Sequence, residues 1–254
     1  MRQVRLRRRR PALGQGGGCA TALTAREKRE RDILAPLASN GAFEGRGLGC
    51  IRGERPVFAA LDFRLEPGGA LVLTGPNGSG KSSLLRVMAG LLPAAAGTLA
   101  WNGTPVDDAP ELHRQRVHYL GHHDALKPVL TVAENLGFWA SLRGANDDGV
   151  AAALARVGLD HLAETPGHLL SAGQRRRLSL ARVLAAQAPL WLLDEPSVGL
   201  DAASVRTLAE VIAEHRANGG LVVVATHQAL DLPDAACLAV DDYPPARPDP
   251  EDVW

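Results

Sequence analysis

The segment Gly75-Pro-Asn-Gly-Ser-Gly-Lys-Ser82 restricts the fold of this 254-residue chain more than any other part of its sequence. Its glycines, lysine and serine match the phosphate-binding P-loop pattern. An apolar run, Ala70–Thr74, precedes it, and a helical pattern follows it through about Leu91. In this arrangement the loop joins a buried strand to a helix, where backbone N–H groups and the helix N-terminus attract phosphate. The sequence therefore predicts an α/β fold of the P-loop NTPase type.

The P-loop also supplies the predicted nucleotide contacts. Lys81 is expected to reach the β- and γ-phosphates, and the Ser82 hydroxyl is expected to ligate Mg²⁺. The residues predicted to bind the nucleotide in this segment are Gly75, Pro76, Asn77, Gly78, Ser79, Gly80, Lys81, Ser82 and Ser83.

Another apolar strand pattern, Leu190–Leu193, ends in two acidic residues, Asp194 and Glu195. Because Mg²⁺ prefers oxygen ligands, Asp194 is predicted to hold the ion, usually through water. Glu195 is placed to polarise the water that attacks the γ-phosphate. His227 follows the strand Leu221–Ala225 and is predicted to contact the γ-phosphate and the attacking water. The predicted catalytic residues are Glu195, His227 and Lys81.

The turn Leu170-Ser-Ala-Gly-Gln174 lies between the P-loop and the acidic strand end. Ser171 and Gln174 have the spacing of a capping box, which predicts that a helix starts here. The basic run Arg175–Arg177 follows. The N–H groups of such a helix end, together with the Ser171 hydroxyl, can bind an anion. The chain's own P-loop cannot use this second phosphate-binding end, so we expect two chains to share ATP.

Strands and helices alternate over most of the chain, which predicts a parallel, doubly wound sheet. The strand patterns are Val57–Leu65, Ala70–Thr74, Gly97–Asn102, Val117–Leu120, Leu190–Leu193 and Leu221–Ala225. The mostly helical stretch from about 124 to 186 interrupts this alternation and is expected to form a separate lobe. Within it, Thr131 and Glu134 have capping-box spacing. The predicted ATPase domain covers residues 43–243, and residues 244–254 are expected to be a loose tail.

Residues 1–40 differ from the rest, with ten basic and three acidic side chains. They are expected to be a disordered basic tail or sequence included by a misplaced start; a targeting peptide and a basic arm on anionic lipid are alternatives. The whole chain has 28 basic and 28 acidic residues, so the remainder is acidic. This charge disfavours a nucleic-acid partner. No stretch approaches the ~20 apolar residues of a membrane span, so any span must come from another subunit.

These motifs, in this order, resemble those of the nucleotide-binding subunits of ABC transporters over residues of about 43–240. The resemblance implies an ABC-type nucleotide-binding domain, with a parallel-sheet core, an antiparallel β subdomain and a helical lobe that docks on a membrane partner. It also implies head-to-tail pairing, as a homodimer or with a paired ATPase subunit. In that pair Ser171 and Gly173, with Gln174 beside them, bind ATP held by the other chain, and Ser197–Asp201 links the two sites.

Two positions depart from the general pattern of that family. The family commonly has Gln after the strand that matches Val117–Leu120, and His123 takes that place here. Histidine is a poorer ligand for Mg²⁺-bound water than an amide oxygen. Arg52 stands where the family usually has an aromatic residue that stacks on adenine. A guanidinium can stack on a base, so Arg52 is a candidate nucleotide contact, and a solvated arginine is the alternative.

Six segments resemble a narrower group, the ATP-binding subunits of the haem exporter of cytochrome c maturation in Gram-negative bacteria. They are Tyr119–His123, Leu126–Pro128, Leu130–Leu136, Leu170–Gln174, Leu190–Pro196 and Thr226–Gln228. The resemblance implies an ATPase that uses Mg²⁺ and drives an integral membrane transporter subunit, peripherally bound at the cytoplasmic face of the bacterial inner membrane. Two alternatives remain open: an ABC transporter ATPase for another substrate, and a soluble ABC ATPase acting in translation or DNA repair.

Overall fold

The computed structural model describes residues 41–228 and 230–245, which build two sheets flanked by helices. The strands are β1 (Phe43–Arg52), β2 (Arg55–Leu65), β3 (Ala70–Thr74), β4 (Ala96–Trp101), β5 (Thr104–Pro105), β6 (Val117–Leu120), β7 (Leu190–Asp194), β8 (Leu221–Ala225) and β9 (Ala236–Ala239). The helices are α1 (Lys81–Met88), α2 (Pro110–Arg116), α3 (Val132–Ser141), α4 (Asp147–Arg156), α5 (Ala172–Ala185) and α6 (Ala202–Ala217). The predicted basic tail, 1–40, and residues 246–254 of the predicted C-terminal tail lie outside the described residues.

The larger sheet is parallel, with strand order β6-β7-β8-β3-β9. β7 and β8 are buried along their whole length, as is typical of parallel strands covered on both faces. Because β3, β7 and β8 run in the same direction, the residues that follow them emerge at one edge of the sheet. Gly75, Glu195 and Thr226 directly follow these three strands. The carboxyl edge of an open α/β sheet is where such folds bind ligands.

The smaller sheet is antiparallel, with strand order β2-β1-β4-β5, so the β subdomain implied by the family resemblance is present. Phe43 anchors it: its ring centroid lies 5.3 Å from that of Phe63 and 5.7 Å from that of Trp101. These rings belong to the same hydrophobic cluster as residues of β3 and α1. This shared core fixes the β1–β2 hairpin, in which Arg52 is the last residue before the turn, against the rest of the domain.

Helices α3, α4 and α5 pack around a hydrophobic cluster of their own, which includes Val132, Leu136, Leu154 and Leu178. The predicted Thr131 capping box forms at the start of α3. Leu170 also belongs to this cluster. Its burial fixes the point at which α5 begins, so the helical cluster sets the position of the Ser171–Gln174 turn.

The structure differs from the sequence prediction at two helices. α1 ends at Met88 rather than near Leu91, because Gly90 has a φ of 67° and left-handed glycine ends helices. α2 was not predicted, since its buried residue is a histidine, His113, and no apolar periodicity marks it. In the part of the chain that the structure describes, no helix is both long and apolar enough to cross a membrane.

Candidate nucleotide-binding site

A cavity of about 500 Å³ opens at the carboxyl edge of the parallel sheet. It brings together most of the predicted P-loop, metal and catalytic residues, which are far apart in the sequence. The residues that line it are Arg52, Val57, Asn77, Gly78, Gly80, Lys81, Ser82, Ser83, His122, Asp194, Glu195, Val198 and His227. Of these, Val57, Val198 and His122 were not predicted as site residues.

The P-loop backbone requires glycine at two well-defined points. Gly75 has a φ of 127°, and a Cβ there would lie 2.6 Å from Asp241 Oδ1. Gly80 has a φ of 105°, and a Cβ there would lie 2.6 Å from Val57 Cγ1. Gly80 is also the N-cap of α1, and no side chain caps this helix. The first N–H groups of α1 are therefore available to a phosphate, with no acidic side chain in the first turn to repel it.

Lys81 is folded over the P-loop and is only 8% exposed. Its Nζ donates hydrogen bonds to the carbonyls of Gly75, at 2.7 Å, and Pro76, at 2.9 Å. The buried Ser79 Oγ has no hydrogen-bond partner among the described residues. Ser79 does not line the cavity, so of these two groups the Lys81 ammonium is the one that suits the oxygens of a phosphate chain.

Two oxygen donors for a cation, Ser82 and Asp194, line the same cavity. Asp194 is the last residue of β7 and is 3% exposed, so its carboxylate is held in place by the sheet. A hydroxyl and one carboxylate fit Mg²⁺, which is commonly held by one or two carboxylates together with substrate phosphates. Residues 41–228 and 230–245 contain no cluster of three His, Cys, Asp or Glu that could hold a metal ion.

Glu195 and His227 form a direct pair. His227 Nδ1 lies 2.9 Å from Glu195 Oε1, and the backbone N–H of His227 donates to Oε2 at 3.4 Å. An ionised carboxylate only accepts hydrogen bonds, so the ring donates from Nδ1. The Glu195 side chain is 15% exposed, so it is shielded but reachable from the cavity. The pair has the geometry of a carboxylate base oriented by a histidine.

The loop that follows Glu195 is tied to the segment that carries His227. The Ser197 hydroxyl, in a residue that is 3% exposed, donates to Gln228 Oε1 at 3.1 Å. This bond gives Gln228 a structural role that its position in the sequence does not reveal. It fixes the first residue of the predicted linking loop, Ser197–Asp201, next to the catalytic pair.

The predicted capping box at the start of α5 is confirmed. Ser171 Oγ accepts from the Gln174 N–H at 3.2 Å, and Gln174 Oε1 accepts from the Ser171 N–H at 2.8 Å. Gly173 is confined by a neighbour, because a Cβ there would lie 3.3 Å from the Gly199 carbonyl. Ser171, Gly173 and Gln174 are not among the residues that line the P-loop cavity. Their predicted contact with ATP therefore requires a nucleotide bound outside this cavity.

The positions of the two remaining candidates, Arg52 and His123, differ. Arg52 lines the P-loop cavity, where it could contact a base. His123 does not line it, whereas its neighbour His122 does. The two imidazoles lie edge to face with centroids 5.6 Å apart. His122 and His123 are adjacent in one loop. No local sequence pattern shows which of the two faces the P-loop cavity.

Arg176, at the start of the second turn of α5, was also missed as a site residue. It is buried, and its guanidinium donates to the backbone carbonyls of Asp194 and Glu195. The sequence marked it only as one member of a basic run.

A second, larger groove of about 970 Å³ lies beside the cavity. Arg86, Arg114, Arg143 and Arg182 line it, and none of the described residues that line it is acidic. Burial, reinforced by the nearby charge of Arg143, lowers the pKa of His118 to about 3. His118 therefore adds no charge at neutral pH to this groove, which we call the arginine groove after its four arginines. His122 lines both the arginine groove and the P-loop cavity.

The fold and the site together define a P-loop ATPase with a second ordered helix end, the capped start of α5, outside its own nucleotide cavity. The family model described as ABC transporter matches residues 58–198. The "Cytochrome c biogenesis ATP-binding export protein CcmA" of Paramagnetospirillum magneticum is 58% identical over 81% of this chain and 96% of its own length. The protein of the same name from Rhodospirillum rubrum is 58% identical over 80% of this chain and 87% of its own length.

Among solved structures, a putative ABC transporter ATP-binding protein from Pyrococcus furiosus is similar, with a TM-score of 0.70 and 26% identity. The match covers 80% of this chain and 98% of that one. The chain belongs to the ABC transporter family and, within it, to the group of the CcmA proteins. It is therefore an ABC-type, ATP-hydrolysing subunit.

Proposed function

We propose that this chain binds and hydrolyses ATP for an ABC transporter of c-type cytochrome biogenesis, coupling hydrolysis to haem export or to release of a haem carrier. The observation that carries this proposal is 58% identity to a CcmA protein over 96% of that protein's length. The Glu195–His227 pair beside the P-loop supplies the chemistry such a subunit needs.

In this proposal the P-loop N–H groups and Lys81 hold the phosphates of ATP. Ser82 and Asp194 would hold Mg²⁺, which supplies positive charge against the phosphate oxygens. Glu195 polarises the attacking water and accepts its proton, because its carboxylate reaches the cavity and is oriented by His227. His227 in turn stabilises the γ-phosphate. Catalysis then consists mainly of positioning and charge stabilisation.

The site is completed by a second ATPase chain. Ser171, Gly173 and Gln174 lie at the start of α5, apart from the chain's own P-loop cavity. In a head-to-tail homodimer, or with a paired ATPase subunit, they would meet the γ-phosphate held by the other chain. The uncapped α1 of one chain and the capped α5 of the other chain then face one nucleotide from opposite sides.

The arginine groove is the proposed docking surface for the integral membrane subunit. Its four arginines are matched by no acidic lining residue, so the cytoplasmic segment that docks there should carry carboxylates. His122 would report that contact to the nucleotide, since it lines both spaces. Docking on such a subunit would hold this chain at the cytoplasmic face of the bacterial inner membrane as a peripheral protein.

The substitution Glu195→Gln tests this function. It keeps the size and hydrogen-bonding shape of the side chain but removes the base, and loss of a general base lowers rates by about 10² to 10⁴. ATP binding should persist, steady-state hydrolysis should fall to background, and an ATP-bound dimer should accumulate on size-exclusion chromatography. Glu66→Gln, at an exposed salt bridge with Arg64, is the matched control and should hydrolyse ATP normally.

The same pair of variants tests the pathway in cells. A host strain that lacks the gene should lose covalent haem from its c-type cytochromes, measured by haem staining of membrane proteins. The Glu66→Gln chain should restore the staining and the Glu195→Gln chain should not. Full hydrolysis by the Glu195→Gln chain would contradict the catalytic assignment. Normal cytochromes in the deletion strain would instead assign the ATPase to another cargo.

A further inference from the structure

We propose that Arg176 is a positioning residue for ATP hydrolysis, which holds the backbone of Glu195 in its working conformation from the helix that contacts the other chain's nucleotide. The proposal rests on the role of Glu195 proposed above. Arg176 Nη2 donates to the carbonyl of Asp194 at 3.0 Å and to that of Glu195 at 2.6 Å. One guanidinium nitrogen therefore fastens the peptide groups on both sides of the Glu195 Cα.

Glu195 needs such a restraint because its backbone is strained. Its φ of 49° lies in the left-handed region, which a residue with a Cβ rarely adopts. Its own N–H donates to the Ala225 carbonyl of β8 at 2.8 Å. With Arg176 on the two flanking carbonyls, every backbone polar group around this Cα has a partner. Strained residues persist when the surrounding structure over-determines them, and Arg176 provides two of the bonds that do so.

The same guanidinium reaches the loop that carries His122. Arg176 Nη1 lies 3.4 Å from the Gly121 carbonyl and 3.4 Å from Asp124 Oδ1. Ser179, one turn further along α5, donates its hydroxyl to the Asp124 carbonyl at 3.0 Å. Arg176 thus joins three parts of the site: α5, the Glu195 backbone and the loop between the P-loop cavity and the arginine groove.

An arginine is required in this place for a geometric reason. Arg176 is 6% exposed, so its charge is buried and must be compensated. It meets one carboxylate and three carbonyls on two sides of a planar group. A lysine ammonium is a compact point charge and cannot span both sets of acceptors. The planar guanidinium instead holds the Gly121–Asp124 loop and the Asp194–Glu195 backbone at a fixed separation.

Arg177 offers a matched control in the next position of α5. Its Nη1 donates to the carbonyls of Val157 at 3.1 Å and Gly158 at 3.4 Å. It therefore caps backbone carbonyls as Arg176 does, but at the end of α4 and away from Glu195. Loss of Arg177 should affect the stability of the helical cluster and leave the catalytic residue in place.

The test compares Arg176→Lys, Arg176→Gln and Arg177→Gln in the chain purified with its membrane subunit. Steady-state kcat and KM for ATP, the Kd for ADP and the melting temperature are measured for each. Because a small misplacement of a catalytic group can lower a rate about 100-fold, Arg176→Gln should lower kcat at least 10-fold. KM and the ADP Kd should stay within about twofold, since the P-loop is untouched.

Arg176→Lys should recover part of the lost kcat, and Arg177→Gln should keep the parent kcat even if its melting temperature falls. Equal kcat in the Arg176→Lys and Arg177→Gln chains would overturn the proposal. This comparison can still be made if the Arg176→Gln chain does not fold. A rise in KM with an unchanged kcat would also overturn it. The proposed function fails separately, through normal hydrolysis by the Glu195→Gln chain.

Discussion

The N-termini of α1 and α5 are built in opposite ways although both are proposed to face phosphate. α1 begins after its N-cap, Gly80, with no side-chain cap, so its first N–H groups stay free for a ligand. α5 begins with a complete capping box, in which Ser171 and Gln174 already bond each other's backbone N–H groups. In the proposed function, α1 would therefore bind phosphate through its backbone. α5 is a pre-ordered end that offers the Ser171 hydroxyl and a positive helix dipole.

A third helix, α3, shows which residue of the α5 capping box relates to ATP. α3 has the same box, built from Thr131 and Glu134. There the residue that closes the box is an acid, whereas at α5 it is the neutral Gln174. Both residues make the same bonds within the chain, so stability does not explain the choice of Gln. A carboxylate at the start of α5 would repel phosphate, which a neutral Gln174 does not. Substitutions at these helix ends should therefore change ATP binding or hydrolysis to different extents.

The largest effect is expected at the α1 end. Lys81→Ala removes the ammonium group from the P-loop and leaves the glycine backbone intact. Charge-assisted hydrogen bonds contribute about 1.5–3 kcal/mol, so ATP affinity should fall roughly 10- to 100-fold. Isothermal titration with ATP and Mg²⁺ measures this. Unchanged affinity would mean that the α1 backbone alone holds the nucleotide.

An intermediate effect is expected from charge at the α5 end. Gln174→Glu keeps the capping box but places a carboxylate beside the other chain's phosphate. Two unit charges a few ångströms apart near a protein surface repel by about 4 kcal/mol; because solvent and salt screen most of this at an exposed helix end, hydrolysis should fall roughly 10-fold. Binding of ADP to the P-loop should not change. Glu134→Gln is the control at α3, and a similar loss in both variants would refute a role for α5 in binding phosphate.

The smallest effect separates capping from catalysis. Ser171→Ala and Thr131→Ala each remove one N-cap acceptor, so each should lower the free energy of unfolding by about 1 kcal/mol in urea titrations. Only Ser171→Ala should also lower ATP hydrolysis, by several-fold. If the Thr131→Ala chain lost as much activity, the decrease would reflect helix stability and the distinction between α3 and α5 would disappear.

The parts of the site that lie close together in sequence were predictable. The P-loop, the Asp194–Glu195 strand end and the Ser171 capping box each combine residues within eight positions, and the structure forms each as expected. The central strands were predicted for the same reason, because β7 and β8 are continuous apolar runs. Local patterns of this kind are set by backbone geometry and burial, which a short window of sequence records.

The individual bonds between distant residues, and the order of the strands, were not predictable. Arg176 bonds carbonyls 18 and 19 positions away, and carbonyl acceptors have no sequence signal. Gln228 bonds Ser197 across 31 positions. The order β6-β7-β8-β3-β9 places β3 beside strands from the other end of the chain. β9 was missed because it is short and only one of its residues, Leu238, is buried.

The His122 imidazole forms a common wall between the ATP cavity and the arginine groove, and this has a consequence for chemical inhibition. Competitors of ATP must discriminate among the many proteins that share a P-loop. A compound bound in the arginine groove would contact His122, which also lines the ATP cavity, without contacting the P-loop. Anionic compounds suit that space, since its lining is cationic. Because the groove is also the proposed docking surface of the membrane subunit, such a compound would compete with that subunit rather than with ATP.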